Sequence, residues 1–252
     1  MALNLDAMKA KLDKLNGKGE GGKKNFWRPE EGESNIRIVS TPDGDPFKER
    51  FFHYGVGGQS FLCPKRNFGD DCPVCNFANK LWNEGTEESK RQAKEMFAKQ
   101  RFFSPVLVRG EEQEGIRVWG YGKMAYENLL TLVLNPEYGD ITATETGTDL
   151  TLTYGKPPGA SFPQTKLVPR RRSSNLCEDM TPDKCADLLE SIPDFTGLFE
   201  RKTTAEVQTI LDNFVNSQVT DPETVSSETT KYGKTDGEAN AVDAAFAELG
   251  AL

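Results

Sequence analysis

The feature that most constrains this chain is a cluster of metal-binding residue types, made up of His53, Cys63, Cys72 and Cys75. The two-residue gap between Cys72 and Cys75 is the spacing at which two thiolates can bind one tetrahedral ion. His53 is the only histidine in the sequence, and it lies ten residues before Cys63. Four protein ligands leave no position open for water, so the pattern predicts one structural zinc ion.

Other readings of the cysteines are weaker. A redox-active Cys-x-x-Cys pair would follow a strand in a βαβ unit, whereas this pair follows a loop-like stretch. A zinc deaminase needs a glutamate two residues after the histidine, and position 55 is glycine. Buried cysteines without metal remain an alternative. The odd count of five cysteines and the absence of an export signal argue against a disulfide framework. Cys177 and Cys185 are expected to be ordinary core or surface thiols with no assigned role.

The charge of the chain is unevenly distributed. The net charge is -8, but residues 220–252 hold seven acids and two lysines, whereas residues 90–101 and 156–172 are basic. We therefore expect an amino-terminal arm over 1–22, a core over 23–219 and an acidic disordered tail over 220–252. The arm has leucine and methionine at helical spacing before a glycine-rich hinge, although a frayed terminus is an equal alternative.

The periodicity of the core predicts a mixed α+β fold that is mainly β. Helices are expected over 75–82, 87–99 and 123–134 and from starts at Thr181 and Thr203, where Thr203 and Glu206 form a capping box. Strands are expected within 35–54 and over 102–109, 116–121 and 150–154. Residues 155–172 begin with a Gly-Lys-Pro-Pro-Gly string and are expected to form a long basic loop.

The strand predicted over 116–121 carries the first indication of a binding surface. Ile116 and Val118 point to one face, and Arg117, Trp119 and Tyr121 point to the other. If the aliphatic face covers the core, the aromatic row is exposed and can stack on nucleotide bases. The alternative is a second layer of structure that buries this face.

Further segments place cations beside aromatic side chains. These candidates are Lys99, Arg101, Phe102, Phe103, Phe162, Lys166 and Arg171. Cations that meet phosphates and aromatic rings that stack on bases are typical of a groove for single-stranded nucleic acid, whereas a duplex reader would use a recognition helix.

The order of these motifs from Asn25 to Val215, and the His, Cys, Cys-Pro-Val-Cys arrangement above all, resembles the single-stranded DNA-binding (helix-destabilising) proteins of T4-like bacteriophages. The resemblance implies an OB-fold core, a five-stranded Greek-key barrel, with a zinc-binding subdomain and peripheral helices. It also adds Trp82 to the DNA-contacting residues. One departure is the uncharged start of the chain, since the family's arm opens with a dense basic run.

The resemblance further implies a protein that coats single-stranded DNA without sequence preference in phage replication, recombination and repair, and that catalyses no reaction. The implied partners are single-stranded DNA, further copies along the DNA, and polymerase, helicase or helicase-loader and recombinase proteins bound through the acidic tail. The implied location is the cytoplasm of the infected bacterium, with no membrane association. An RNA-binding or transcription-related zinc protein is the main alternative, and a zinc enzyme is disfavoured by the closed ligand set.

Overall fold

The computed structural model describes residues 26–178 and 180–219, with side chains to residue 217. The predicted arm (1–22) and tail (220–252) lie outside the described residues. The strands are β1 (Phe26–Trp27), β2 (Gly32–Ile38), β3 (Lys48–Val56), β4 (Gln59–Leu62), β5 (Lys99–Val108), β6 (Arg117–Tyr121), β7 (Leu150–Gly155) and β8 (Gln164–Pro169). The helices are α1 (Pro64–Phe68), α2 (Pro73–Glu84), α3 (Glu87–Met96), α4 (Lys123–Val133), α5 (Pro182–Glu190) and α6 (Thr204–Val219), with a 3-10 turn at Glu112–Glu114.

All eight strands belong to one sheet, in which β5 is the central strand. The order along the sheet is β1-β6-β5-β2-β7-β8, and β3 pairs with both β4 and β5. The first half of β5 pairs with β3, and its last residues, Val106 to Val108, pair with β2. Since β6 occupies the other edge of β5, β2 and β3 share one edge. The predicted mixed α+β, mainly β architecture is confirmed, and the described residues contain eight strands.

Most local predictions agree with the structure because they rest on short-range signals. Helices α2, α3 and α4 lie where their periodicity placed them. Thr181 caps α5 by accepting a hydrogen bond from the Lys184 amide. The capping box of α6 is formed, with Glu206 accepting from the Thr203 amide at 2.7 Å and the Thr203 hydroxyl accepting from the Glu206 amide at 3.3 Å.

Two expectations are wrong. Residues 164–169, expected to be loop, form β8, because Leu167 and its neighbours pair with β7 along its whole length. Cys177 and Cys185, expected to be ordinary thiols, form a disulfide with a Cα–Cα distance of 5.6 Å. The turn before α5 brings Cys177 against the first turn of that helix, which places the two sulfurs in bonding range.

A buried ionic network ties distant segments to the sheet. Arg37 on β2 is fully buried, and its Nε donates to Asp149 Oδ1 at 2.8 Å. Arg109 donates to both oxygens of the same carboxylate, at 3.1 and 3.2 Å. The Ser174 hydroxyl also donates to Asp149 at 2.9 Å, and Arg37 donates in turn to the Ser174 carbonyl at 2.8 Å. Burial lowers the pKa of Arg37, whereas the Asp149 charge opposes that shift.

Gly147 makes this network possible. A Cβ at this position would lie 2.3 Å from the Ala143 carbonyl oxygen and 2.6 Å from the Arg37 guanidinium. No larger residue fits without movement of the backbone.

Among the described residues, no helix is long and apolar enough to cross a lipid bilayer.

Candidate metal centre and nucleic-acid cleft

The four predicted metal ligands converge at the junction of β3, β4 and two helix starts. His53 lies on β3. Cys63 directly follows β4 and is the N-cap of α1, Cys72 is the N-cap of α2, and Cys75 lies in the first turn of α2. Each N-cap cysteine is followed by proline, whose fixed φ suits the first position of a helix. The repeated Cys-Pro pair thus starts two helices that aim their amino ends at one point.

The distances between the ligand atoms fit a tetrahedral metal ion. All four side chains are buried, and their ligand atoms lie within 4.8 Å of one another. Cys63 Sγ and Cys75 Sγ are 3.5 Å apart, and His53 Nε2 lies 3.4 Å from Cys72 Sγ and 3.5 Å from Cys75 Sγ. Metal–sulfur bonds of about 2.3 Å and metal–nitrogen bonds of about 2.0 Å give tetrahedron edges of roughly 3.5 to 3.8 Å. These residues could therefore hold one metal ion.

The surroundings of the ligands favour metal binding. His53 Nδ1 lies 2.8 Å from the Met96 carbonyl oxygen; donation to that oxygen fixes the tautomer in which Nε2 is free to ligate. The Arg66 amide donates to Cys63 Sγ at 3.4 Å. Hydrogen bonds from the Cys72 and Cys75 side chains lower the pKa of Cys63, so that a thiolate is favoured within the cluster.

A cleft of about 850 Å³ lies at the end of β6 where α4 begins. Its lining combines cations, aromatic rings and backbone, with one acid. The lining residues are Arg28, Pro29, Glu30, Arg101, Trp119, Gly120, Tyr121, Gly122, Lys123, Met124, Ala125, Tyr154, Pro163, Gln164 and Thr165. Three cations and a partly buried tyrosine, Tyr154, beside apolar side chains can bind a chain that carries both phosphates and flat bases.

The predicted exposure of the aromatic row on β6 is wrong. Trp119 is 1% exposed and Tyr121 is 4% exposed, because α4 covers this face. Val118 on the opposite face is also buried, against Phe195. The second-layer alternative is therefore the correct one. Trp119 and Tyr121 still contribute to the lining of the cleft, but their rings are too deeply buried to serve as open stacking platforms.

Phe102 and Phe103 are likewise buried, on opposite faces of β5. Phe102 stacks on Tyr126 with a centroid distance of 3.8 Å, and Phe103 packs on Phe52 and Phe199. Their predicted role as DNA-contacting rings is not supported, because both faces of β5 are covered. Neither ring is placed to stack on a base.

The predicted cations differ in position. Arg101 lines the cleft, and its guanidinium lies 5.9 Å from the Tyr54 ring centroid. Lys99 is exposed at the start of β5. Arg117 does not line the cleft, and it donates to Glu111 at 2.6 Å. Of these three predicted cations, Arg101 alone lines the cleft.

The remaining predicted contacts are exposed but lie outside the cleft lining. Trp82 on α2 is 41% exposed, with the Lys94 ammonium 6.0 Å from its ring centroid. Phe162 is 59% exposed, and Lys166 and Arg171 are also exposed. Phe162 directly precedes Pro163, which lines the cleft.

Among the cations and aromatic residues of the cleft, the sequence analysis missed Arg28, Lys123 and Tyr154. Lys123 had a usable signal, since it immediately follows Tyr121 and Gly122 at the start of a predicted helix. Arg28 and Tyr154 had none, because only the pairing of β1 with β6 and of β2 with β7 brings them to the same place.

The comparison with protein families decides the class. A family model described as gp32 DNA binding protein like matches residues 30–216, well over half of the chain. The chain belongs to this DNA-binding family. The matched range contains all four candidate metal ligands and most of the cleft, and the resemblance stated from the motifs is confirmed. A comparison with curated proteins gives no significant match.

Proposed function

We propose that this protein coats single-stranded DNA without sequence preference during phage replication, recombination and repair. The cleft carries the proposal, because Arg28, Arg101 and Lys123 surround a space into which Tyr154 also faces. Cations release counterions from phosphates, and base faces pack against aromatic and apolar walls regardless of sequence. Membership of a DNA-binding family supports the same conclusion.

Tryptophan fluorescence tests this proposal. The full chain is titrated with poly-dT, a mixed duplex and an RNA strand at two salt concentrations. Trp119 lines the cleft and Trp82 is exposed, so binding should quench the emission. We expect salt-sensitive quenching that is strongest with poly-dT. No quenching by poly-dT would reject the proposal, and a preference for RNA would favour the RNA-binding alternative.

A matched pair of variants locates the binding to the cleft. Lys123 is an exposed cleft cation, and Lys65 is an exposed cation on α1 that does not line the cleft. Lys123→Ala should lower the slope of log K against log salt by about 0.7, the value for one phosphate contact on a single strand. Lys65→Ala should leave the slope unchanged. Equal slopes for both variants would contradict binding in the cleft.

We also propose that the metal is a single structural zinc ion. Three thiolates and one imidazole with tetrahedral edges are the donor set that Zn²⁺ prefers. The ion would connect to the cleft through the chain. His53 is held by the carbonyl of Met96, which ends α3 just before β5, and Arg101 on β5 reaches the cleft. Zinc bound by these four ligands would therefore stabilise one wall of the cleft.

Native mass spectrometry and cobalt substitution test the zinc proposal. We expect one zinc ion per chain, and we expect Co²⁺ at the site to give the visible absorption of a tetrahedral thiolate complex. Cys72→Ser should abolish both signals, whereas Cys177→Ser, which changes a cysteine outside the site, should preserve them. A chain without metal by both methods would contradict the proposal. Chelation should lower thermal stability and DNA affinity together.

We also propose roles for the two segments outside the described residues, the arm and the tail. The tail over 220–252, with its seven acids, would compete with DNA for the basic cleft and recruit replication proteins when DNA displaces it. The arm over 1–22 would contact the next copy along the DNA. Deletion of residues 220–252 should tighten binding to poly-dT at low salt. Unchanged affinity would reject the competition.

A further inference from the structure

The outer face of β8 carries a continuous row of exposed side chains. Successive side chains on a strand alternate between faces. Leu167 points into the core, whereas Phe162, Gln164, Lys166, Val168 and Arg170 are all exposed. Gln164, Lys166 and Val168 therefore lie along one side of the sheet, with the exposed Phe162 before the strand and the exposed Arg170 after it.

This row begins at the cleft. Pro163, Gln164 and Thr165 line the cleft, and β8 runs from there to Pro169. Six strand residues at about 3.3 Å each cover roughly 20 Å. That length corresponds to about six stacked nucleotides at the 3.4 Å spacing of one strand in a duplex, and to fewer when the strand is extended. A DNA strand that leaves the cleft on this side would follow the row.

The row ends at three consecutive exposed arginines, Arg170, Arg171 and Arg172, which we call the arginine corner. Among the described residues, none of the three forms an ion pair. Because all three side chains are exposed, a ligand can reach their charges. Guanidinium groups bind phosphate oxygens through two parallel hydrogen bonds, which suits a sugar–phosphate chain.

The backbone of the arginine corner is held from both ends. The Arg170 amide donates to the Asp149 carbonyl at 2.9 Å, and the Ser174 amide donates to the Gly147 carbonyl at 3.0 Å. The buried Arg37 donates to both the carbonyl and the hydroxyl of Ser174, at 2.8 and 2.7 Å. The ionic network on β2 thus fixes the segment that carries the arginines. A segment that is already ordered loses less entropy when it binds.

We propose that β8 and the arginine corner form a second stretch of the DNA path, which receives the strand as it leaves the cleft. The inference rests on the proposed function and extends its site beyond the cleft. Lys166 and the arginine corner would contact phosphates, and Phe162 and Val168 would pack against bases or sugars between them. Asp149 and Arg37 would act as positioning residues for the corner, since they hold its backbone without touching DNA.

Oligonucleotides of two lengths distinguish binding along β8 and the arginine corner from binding in the cleft alone. The full chain is titrated with oligo-dT of about 4 and about 16 nucleotides, the range of site sizes for one OB-fold. The variant is R170A/R171A/R172A, and Lys65→Ala on α1 is the control. For the long oligonucleotide, loss of three phosphate contacts should lower the salt slope of the triple variant by about 2. For the short oligonucleotide, the slope should not change.

Three results would overturn the inference. An unchanged slope on the long oligonucleotide would mean that the corner makes no phosphate contact. An equal loss on both lengths would place the arginines at the cleft itself. A loss of salt slope of similar size in Lys65→Ala would show that the effect arises from net charge and not from the position of the arginines. The proposed function fails separately, if the wild-type chain does not bind poly-dT at all. The substituted arginines are exposed, so a matching circular dichroism spectrum and melting temperature should confirm that the variant is folded.

Discussion

Substitution of Asp149 tests how much the buried ionic network around Arg37 stabilises the fold. Its carboxylate accepts hydrogen bonds from Arg37, Arg109 and Ser174, and Arg37 has no exposed surface. Asp149→Asn keeps the size of the side chain but removes the negative charge and turns an amide group towards the arginine donors. Removing one partner of a buried ion pair costs about 3 to 5 kcal/mol, because the other charge stays buried without compensation. That loss is a large share of a typical stability of about 5 to 15 kcal/mol.

Urea unfolding followed by circular dichroism measures this loss. With a slope of about 2 kcal/mol per molar urea, the midpoint should fall by roughly 1.5 to 2.5 M. Raising the salt concentration should leave the loss unchanged, since counterions do not reach a buried pair. The control is Asp43→Asn, because Asp43 is an exposed partner of Lys48 and its loss should cost much less than the loss of the buried Asp149. A loss below about 1 kcal/mol for Asp149→Asn would refute the view that this network anchors the segment after β8.

Three further predictions follow from other sites. Gly147→Ala should cost about 1 to 3 kcal/mol, because its Cβ would meet a backbone carbonyl oxygen at 2.3 Å, whereas at Gly155 the nearest atom is a side-chain carbon at 3.5 Å. Equal melting temperatures for Gly147→Ala and Gly155→Ala would contradict this. The double variant C177S/C185S should unfold in urea with a loss of about 2.5 kcal/mol, from the loop entropy that the disulfide removes; no loss would show that the cross-link does not stabilise the fold. Hydrogen bonds from a lysine and a threonine lower the pKa of Asp43 to about 2, so the stabilisation from its carboxylate should be complete above the ordinary pKa of 3.8 and lost as the pH falls through 2. An NMR titration midpoint near 3.8 would reject that assignment.

The candidate metal-binding cluster and most helices could be predicted because their signals are local. The capping box at Thr203 and Glu206 uses residues three apart. The two-residue gap between Cys72 and Cys75 indicated that both lie close together, and both do occupy the start of one helix. The choice of His53 as the fourth candidate ligand followed from its being the only histidine in the sequence. Such features need no knowledge of how distant segments pack.

The burial of the aromatic residues could not be predicted in the same way. Whether Trp119 is exposed depends on α4, and whether Phe103 is exposed depends on Phe199, far along the chain. The pairing of Arg37 with Asp149 joins residues separated by 112 positions, and no periodicity indicates it. The alternation of β6 was visible in the sequence, but a strand covered on both faces has no exposed side to assign.

Strand β8 illustrates how long-range pairing overrides local signals. The Gly-Lys-Pro-Pro-Gly string before it and the arginines after it both favour loop. Pairing with β7 from Gly155 to Leu150 supplies the hydrogen bonds that make residues 164–169 a strand. The segment is therefore extended because of its partner.

The position of β8 at the end of the sheet also bears on solubility. An outermost strand exposes unpaired amide and carbonyl groups, which can recruit a strand from another molecule and begin aggregation. Pro163 directly precedes β8 and Pro169 ends it, and neither has an amide hydrogen to offer such a strand. Lys166 places a charge at the middle of the same strand, and a second copy would have to bury it. The two prolines and Lys166, which is also proposed to contact DNA, would thus keep this edge of the sheet from joining a neighbour.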